Sequence, residues 1–130
     1  MEQERILVVE DEKIIALDLK RRLEKFGYLV VGLASRADEA VELAGNERPD
    51  LVLMDIRLKG DMDGIEAAKE INERFNIPVI YLTAHSDDET LKRAKQTDPY
   101  GYILKPFEED DLRTTIELAL HRSKMEKTDE

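Results

Sequence analysis

Short apolar runs alternate along this chain with longer stretches in which apolar residues recur every three or four positions. Ile6-Leu7-Val8-Val9 opens the series, and Tyr28–Leu33, Leu51–Met54, Pro78–Leu82 and Gly101–Leu104 repeat it. Near-continuous apolar runs of this length read as strands buried on both faces, and the stretches between them are long enough for helices. Lys13 to Phe26 carries Ile15, Leu19 and Leu23 at four-residue intervals, and Gly27 follows as a helix stop. A second helix is expected from about Ala37 to Ala44, with Ser35 or Asp38 as its cap and Pro49 barring continuation. Ile65 to Phe75 forms the third, and a cap at Asp87 or Asp88 starts a fourth that ends before Asp98-Pro99. Glu108 to about Arg122 supplies the last, with Leu112, Ile116 and Leu120 on one face. Residues 1–122 are thus expected as one domain, and 123–130 as a charged, frayed tail. Successive βα units imply an α/β fold with a parallel sheet.

The ends of the runs carry the chemistry. In a parallel α/β sheet every strand ends at the same carboxyl edge, where such folds bind ligands. Asp55 ends the third run, and Glu10 and Asp11 end the first, so three carboxylates share one small region. Close like charges demand either raised pKa values or a hard, oxygen-seeking cation such as Mg²⁺. Thr83 follows the fourth run and Lys105 the fifth. Acids, a hydroxyl and an ammonium are what a phosphorylated carboxylate requires, because phosphoryl transfer asks mainly for positioning and for neutralised oxygen charge. Asp55 is the expected nucleophile.

Composition narrows the possibilities. At 130 residues the chain has room for one core. Its net charge of -10, from 20 basic and 30 acidic residues, argues against nucleic acid or an anionic membrane as partner. The absence of Cys removes disulfide and thiol chemistry and suits a cytoplasmic location. Neither a secretory leader nor a membrane-length apolar run is visible.

The motifs Val8-Val9-Glu10-Asp11-Glu12, Leu53-Met54-Asp55-Ile56, Met62-Asp63-Gly64-Ile65, Leu82-Thr83-Ala84 and Tyr102-Ile103-Leu104-Lys105-Pro106-Phe107 together resemble the receiver domain of two-component response regulators, over about residues 5 to 122. The resemblance implies a flavodoxin-like, doubly wound five-stranded sheet of order 2-1-3-4-5. It implies phosphorylation of Asp55 by a sensor histidine kinase or phosphotransfer protein, with Mg²⁺ held by Asp11, Asp55 and the backbone carbonyl of Arg57, and by Glu10 through water. Lys105 would pair with the phosphoryl group and Thr83 would donate its hydroxyl to it. Tyr102 falls at the aromatic switch position, His85 and Arg57 fall where water access is tuned, and Lys105-Pro106 falls where a cis peptide is common. An unidentified downstream protein, or a homodimer through the fourth helix, fifth strand and fifth helix, would read the switch. The expected chain is a single-domain regulator rather than an enzyme.

Departures from the pattern concern the acceptor loop and the fourth helix. Lys59 stands where the family usually has Pro, and Gly64 lies one residue later than usual, so Leu58-Lys59-Gly60-Asp61 holds an extra residue. Pro99 replaces an Ala-rich approach to the fifth strand and is expected to shorten the fourth helix. Among competing functions, a haloacid-dehalogenase-type phosphatase needs a second Asp where Arg57 stands. A nucleotide binder needs a Gly-rich loop where Glu10-Asp11-Glu12-Lys13 stands. A phosphorylation-independent docking module with the same fold stays open, although no acceptor, acid or lysine is lost.

Overall fold

The computed structural model describes residues 3–58, 60–84 and 88–128. The strands are β1 (Arg5–Val9), β2 (Leu29–Ala34), β3 (Leu51–Asp55), β4 (Val79–Thr83) and β5 (Gly101–Leu104). Between and after them run α1 (Lys13–Lys25), α2 (Ala37–Glu47), α3 (Gly64–Phe75), α4 (Asp88–Gln96) and α5 (Glu109–Thr128). All neighbouring strands pair parallel in the order β2-β1-β3-β4-β5, the doubly wound flavodoxin-like fold the resemblance implied.

Strand alternation splits the core in two. Leu7, Val9, Val52, Met54, Val79 and Tyr81 pack with α2, α3 and Ala94 of α4 on one face of the sheet. Ile6, Val8, Leu51, Leu53, Ile80, Leu82 and Ile103 pack with α1 and α5 on the other. Both sets are buried because helices cover both faces, which is why the strands read as unbroken apolar runs.

The helix ends follow local chemistry, not always as expected. Gly27, at φ +99°, closes α1, and the amides of Gly27 and Tyr28 bond back to the carbonyls of Glu24 and Leu23. Neither Ser35 nor Asp38 caps α2. Its N-cap is Arg36, and Glu39 reaches back to accept from the Ser35 amide at 2.8 Å. α2 also runs beyond Ala44 to Glu47, through Gly45, whose missing Cβ makes room for the Phe75 ring. It stops where Arg48 turns left-handed at φ 47° ahead of Pro49. α3 starts with a capping box that the sequence reading did not anticipate: Asp63 accepts from the Glu66 amide, and Glu66 from the Asp63 amide.

Over the described residues the expected frayed tail is corrected, because α5 stays helical to Thr128. Ser123 is buried, Lys124 pairs with Glu4 at 3.2 Å, and Glu126 accepts from the Tyr100 hydroxyl and pairs with Arg122. Charges that read as solvated are partners for Glu4, just before β1, and for Tyr100, just before β5. α4 ends at Gln96 ahead of Pro99, as that proline suggested, and Asp98 adopts a left-handed φ of 51°. The expected roles of Lys59, His85 and the Asp87 cap, together with the side chain of Asp88, fall outside the described residues.

Candidate functional site

Register brings the predicted residues together. Val9 pairs with Met54, Asp55 with Leu82, and Thr83 with Leu104, so Glu10, Asp55, Thr83 and Lys105 sit side by side at the carboxyl edge. Backbone bonds hold the rim: the Glu10 amide donates to Ala34, Ile56 to Leu82, and Lys105 to Thr83. The Lys105–Pro106 peptide is cis.

Glu10, Asp55 and Thr83 are buried, and Asp11 is half-buried. One carboxylate oxygen from each of Glu10, Asp11 and Asp55 lies within 4.8 Å of the others. Lys105 Nζ donates to Glu10 Oε1 at 2.6 Å and to Asp55 Oδ2 at 3.1 Å. The second oxygens are engaged too: Glu10 Oε2 accepts from the Glu12 amide at 3.1 Å, and Asp55 Oδ1 from the Arg57 amide at 3.0 Å. Burial alone would depress the Lys105 ammonium, but its hydrogen bond to Glu10 and the charge of, and hydrogen bond to, Asp55 outweigh it and hold its pKa above the usual value. Lys105 is therefore a cation at neutral pH.

These acids open into a cleft of about 340 Å³ lined by Asp11, Asp55, Arg57, Thr83, Thr90 and Lys105, among others. The donor set suits a hard divalent cation. All three side-chain ligands are oxygen anions, and their spacing lets one ion with ~2.1 Å bonds reach them directly or through a coordinated water. Glu10 and Asp55 each hold protein donors on both carboxylate oxygens. Arg57 lines the cleft with its side chain exposed.

Thr83 lies on the same side of the sheet as Tyr81, facing α4. Tyr102 is the register partner of Tyr81, with ring centroids 6.1 Å apart, and is 36% exposed at the sheet edge. Buried Tyr81 bonds through its hydroxyl to Thr97 Oγ1 at 2.7 Å.

The sequence reading missed three features here. Gly64 presses against the acceptor strand so closely that a Cβ would stand 2.0 Å from the Asp55 carbonyl oxygen. Thr90 brings α4 into the cleft wall. Lys105 is paired with Glu10 as well as Asp55, a contact between residues 95 positions apart that no local signal announces. The Met62-Asp63-Gly64-Ile65 motif was the available hint for the first.

Fold and site thus define a class: a doubly wound α/β domain that gathers acids, a hydroxyl and a lysine at its carboxyl edge. The family model for the response regulator receiver domain matches residues 6–117, and the chain belongs to that family. It is 43% identical over 118 residues to the transcriptional regulatory protein PdtaR of Mycobacterium tuberculosis, covering 91% of this chain and 57% of that protein. It is 36% identical over 116 residues to the phyllosphere-induced regulator PhyR of Methylorubrum extorquens, covering 88% and 43%. The chain therefore spans about half the length of these curated relatives. Among solved structures, the signal receiver domain of a modulated diguanylate cyclase from Desulfovibrio desulfuricans superposes with a TM-score of 0.92 at 41% identity, covering 96% of this chain and 99% of that one. A CheY-like receiver domain protein from Methanospirillum hungatei gives 0.87 at 31%, covering 96% and 99%.

Receiver domains are signalling modules, generally not catalytic enzymes, that bind Mg²⁺ at an acidic pocket and interact with histidine kinases or phosphotransfer proteins. Among the described residues no helix is long and apolar enough to cross a membrane.

Proposed function

We propose that this chain is a phosphorylation switch: Asp55 accepts a phosphoryl group from the phosphohistidine of a kinase or phosphotransfer protein, and the change alters a partner-binding surface. An Asp55 carboxylate oxygen attacks phosphorus in line; the P–N bond breaks, its electron pair returns to the imidazole, and an acyl phosphate forms. A Mg²⁺ ion held by Asp11, Asp55 and the Arg57 carbonyl, with Glu10 through water, would neutralise charge on the transferring oxygens. The observation that carries this reading is the Lys105 ammonium bridging Glu10 and Asp55 at the floor of an acidic cleft.

Lys105 then serves as a movable charge, exchanging part of its carboxylate contact for a phosphoryl oxygen. Thr83 supplies a hydroxyl donor on the α4 side. Its shift toward the phosphoryl group vacates space on the face that Tyr81 and Tyr102 share, and Tyr102, at an edge strand, is free to turn inward. The surface of α4, β5 and α5 is then redrawn for a downstream protein or for a second copy of the chain. A cytoplasmic setting fits the absence of Cys, and protein rather than nucleic-acid partners fit the net charge of -10.

The test is intact mass after incubation with acetyl phosphate, with and without Mg²⁺, on the wild type and Asp55→Asn. One phosphoryl adduct that needs Mg²⁺ and vanishes in the variant supports the switch. No adduct under any condition rejects it in favour of a docking module independent of phosphorylation.

A further inference from the structure

α4 is held to the domain by very little apolar packing. Of its described side chains only Ala94 is buried; Thr90 and Leu91 are half-buried, and the others are exposed. Two polar ties add to this packing. At one, Arg93 Nη2 donates to Asp63 Oδ2 at 3.0 Å. At the other, Thr97, just past the helix end, accepts from Tyr81. Thr97 Oγ1 donates its only hydrogen to the Ala94 carbonyl at 2.7 Å, so the 2.7 Å contact with Tyr81 requires the phenol to be the donor.

The first tie leads straight to the acceptor. Asp63 divides its carboxylate: Oδ1 caps α3 by accepting from the Glu66 amide, and Oδ2 holds Arg93. The next residue, Gly64, lies against the Asp55 carbonyl with no room for a Cβ, and its amide donates to Ile56. Movement of the acceptor loop therefore moves Asp63, and Asp63 carries one end of the α4 tie. α4 also meets the cleft itself through Thr90, one helical turn before Arg93.

We propose that the Asp63–Arg93 ion pair, seconded by the Tyr81–Thr97 hydrogen bond, is a latch that holds α4 in the arrangement seen here and opposes its rearrangement when Asp55 carries a phosphoryl group. The Asp63–Arg93 arm runs from the acceptor through the start of α3 and does not involve Thr83 or Tyr102, whereas the Tyr81–Thr97 arm lies beside Tyr102. It rests on the phosphoacceptor reading above. By linkage, whatever stabilises α4 in this arrangement weakens binding of a phosphoryl group at Asp55, and loosening the tie strengthens it by the same factor. The pair is part-exposed, so the factor is modest and screened by salt.

Arg93→Gln breaks the pair without touching the α3 cap, Arg93→Lys keeps the charge, and Tyr81→Phe removes the second tie while keeping the ring. Two readouts are taken on each: amide exchange over residues 88–96 in the unmodified protein, and apparent affinity for beryllofluoride with Mg²⁺ as a phosphoryl mimic. Expected are faster exchange in α4 and about threefold tighter beryllofluoride binding for Arg93→Gln at low ionic strength, consistent with an exposed ion pair. Both effects should fade in about 1 M salt and be partly reversed in Arg93→Lys. Tyr81→Phe should move both readouts the same way. Unchanged exchange in Arg93→Gln would show that no latch exists, and faster exchange with unchanged or weaker affinity would show that the tie is not coupled to the acceptor. Failure of the wild type to bind beryllofluoride would reject the phosphoacceptor reading and the coupling together, while the exchange arm would still report on the tie itself.

Discussion

Replacing Lys105 by Met removes the one cation that the described residues set between two buried carboxylates. Lys105 Nζ stands 2.6 Å from Glu10 and 3.1 Å from Asp55, and the side chains of Glu10 and Asp55 are 0% and 8% exposed. Each attraction is worth about 5 to 6 kcal/mol at an effective dielectric constant near 20. Part of that is offset because the ammonium no longer has to leave water. One-sided removal from a buried pair generally costs about 3 to 5 kcal/mol, and the low end suits a lysine that keeps some solvent contact. At roughly 4 °C per kcal/mol for a domain of this size, Lys105→Met should melt roughly 12 °C below wild type in EDTA. Uncompensated acids bind a divalent cation more tightly, and ligand at a hundredfold excess over its Kd adds about 2.7 kcal/mol. The gap should therefore narrow as Mg²⁺ is titrated, read by calorimetry or circular dichroism. The Lys105 pKa is raised in the fold, so its contribution is complete below the ordinary lysine value and is lost as pH rises through the elevated one. The gap should persist through neutrality and close only above about pH 10.4. A gap under roughly 3 °C in EDTA, or one indifferent to Mg²⁺, would refute the view that Lys105 is the counter-charge of an acidic cation site.

Other outcomes follow from the same geometry. Gly64→Ala puts a methyl group 2.0 Å from the Asp55 carbonyl oxygen. It should cost about 3 kcal/mol or more and slow phosphorylation, measured by denaturant titration and phosphodonor mass; near-wild-type values in both would contradict that close approach. Burial pushes the Tyr81 phenol up to about 12. Between about pH 10 and 12 the unfolded chain then ionises this phenol while the fold does not, so stability falls over that window. Tyr81→Phe should flatten part of the fall and remove one late-titrating phenol from the 295 nm absorbance curve. Tyr102→Ala should leave acetyl phosphate labelling intact while reducing phosphorylation-dependent self-association in sedimentation or partner binding; undiminished association would remove Tyr102 from the switch.

How much of this was legible in the sequence depends on the range of the interactions. Strand positions came through because both faces of the sheet are covered, so Ile6–Val9 and Leu51–Met54 are apolar without alternation. The candidate site came through for the same reason. A parallel sheet delivers every strand end to one edge, and Glu10, Asp55, Thr83 and Lys105 each terminate or follow a run. The order of the strands is not written in any single run and came from the resemblance to the receiver family. Helix ends were misread where tertiary partners override local signals. Gly45 does not stop α2 because the Phe75 ring packs where its side chain would be, and the residues after Arg122 stay helical because Glu4 and Tyr100 pair with them. The Asp63–Arg93 tie, between residues 30 positions apart, leaves no periodic trace at all.

The central claim is that Asp55 itself becomes the acyl phosphate. Borohydride reduces an acyl phosphate to the alcohol, so after acetyl phosphate and Mg²⁺ treatment the aspartate that carried the phosphoryl group is read as homoserine in peptide mass spectra. The account predicts conversion at Asp55 alone, none without Mg²⁺, and none in Asp55→Asn. Conversion at Asp11 or another acid in the wild type, or none anywhere, would contradict it.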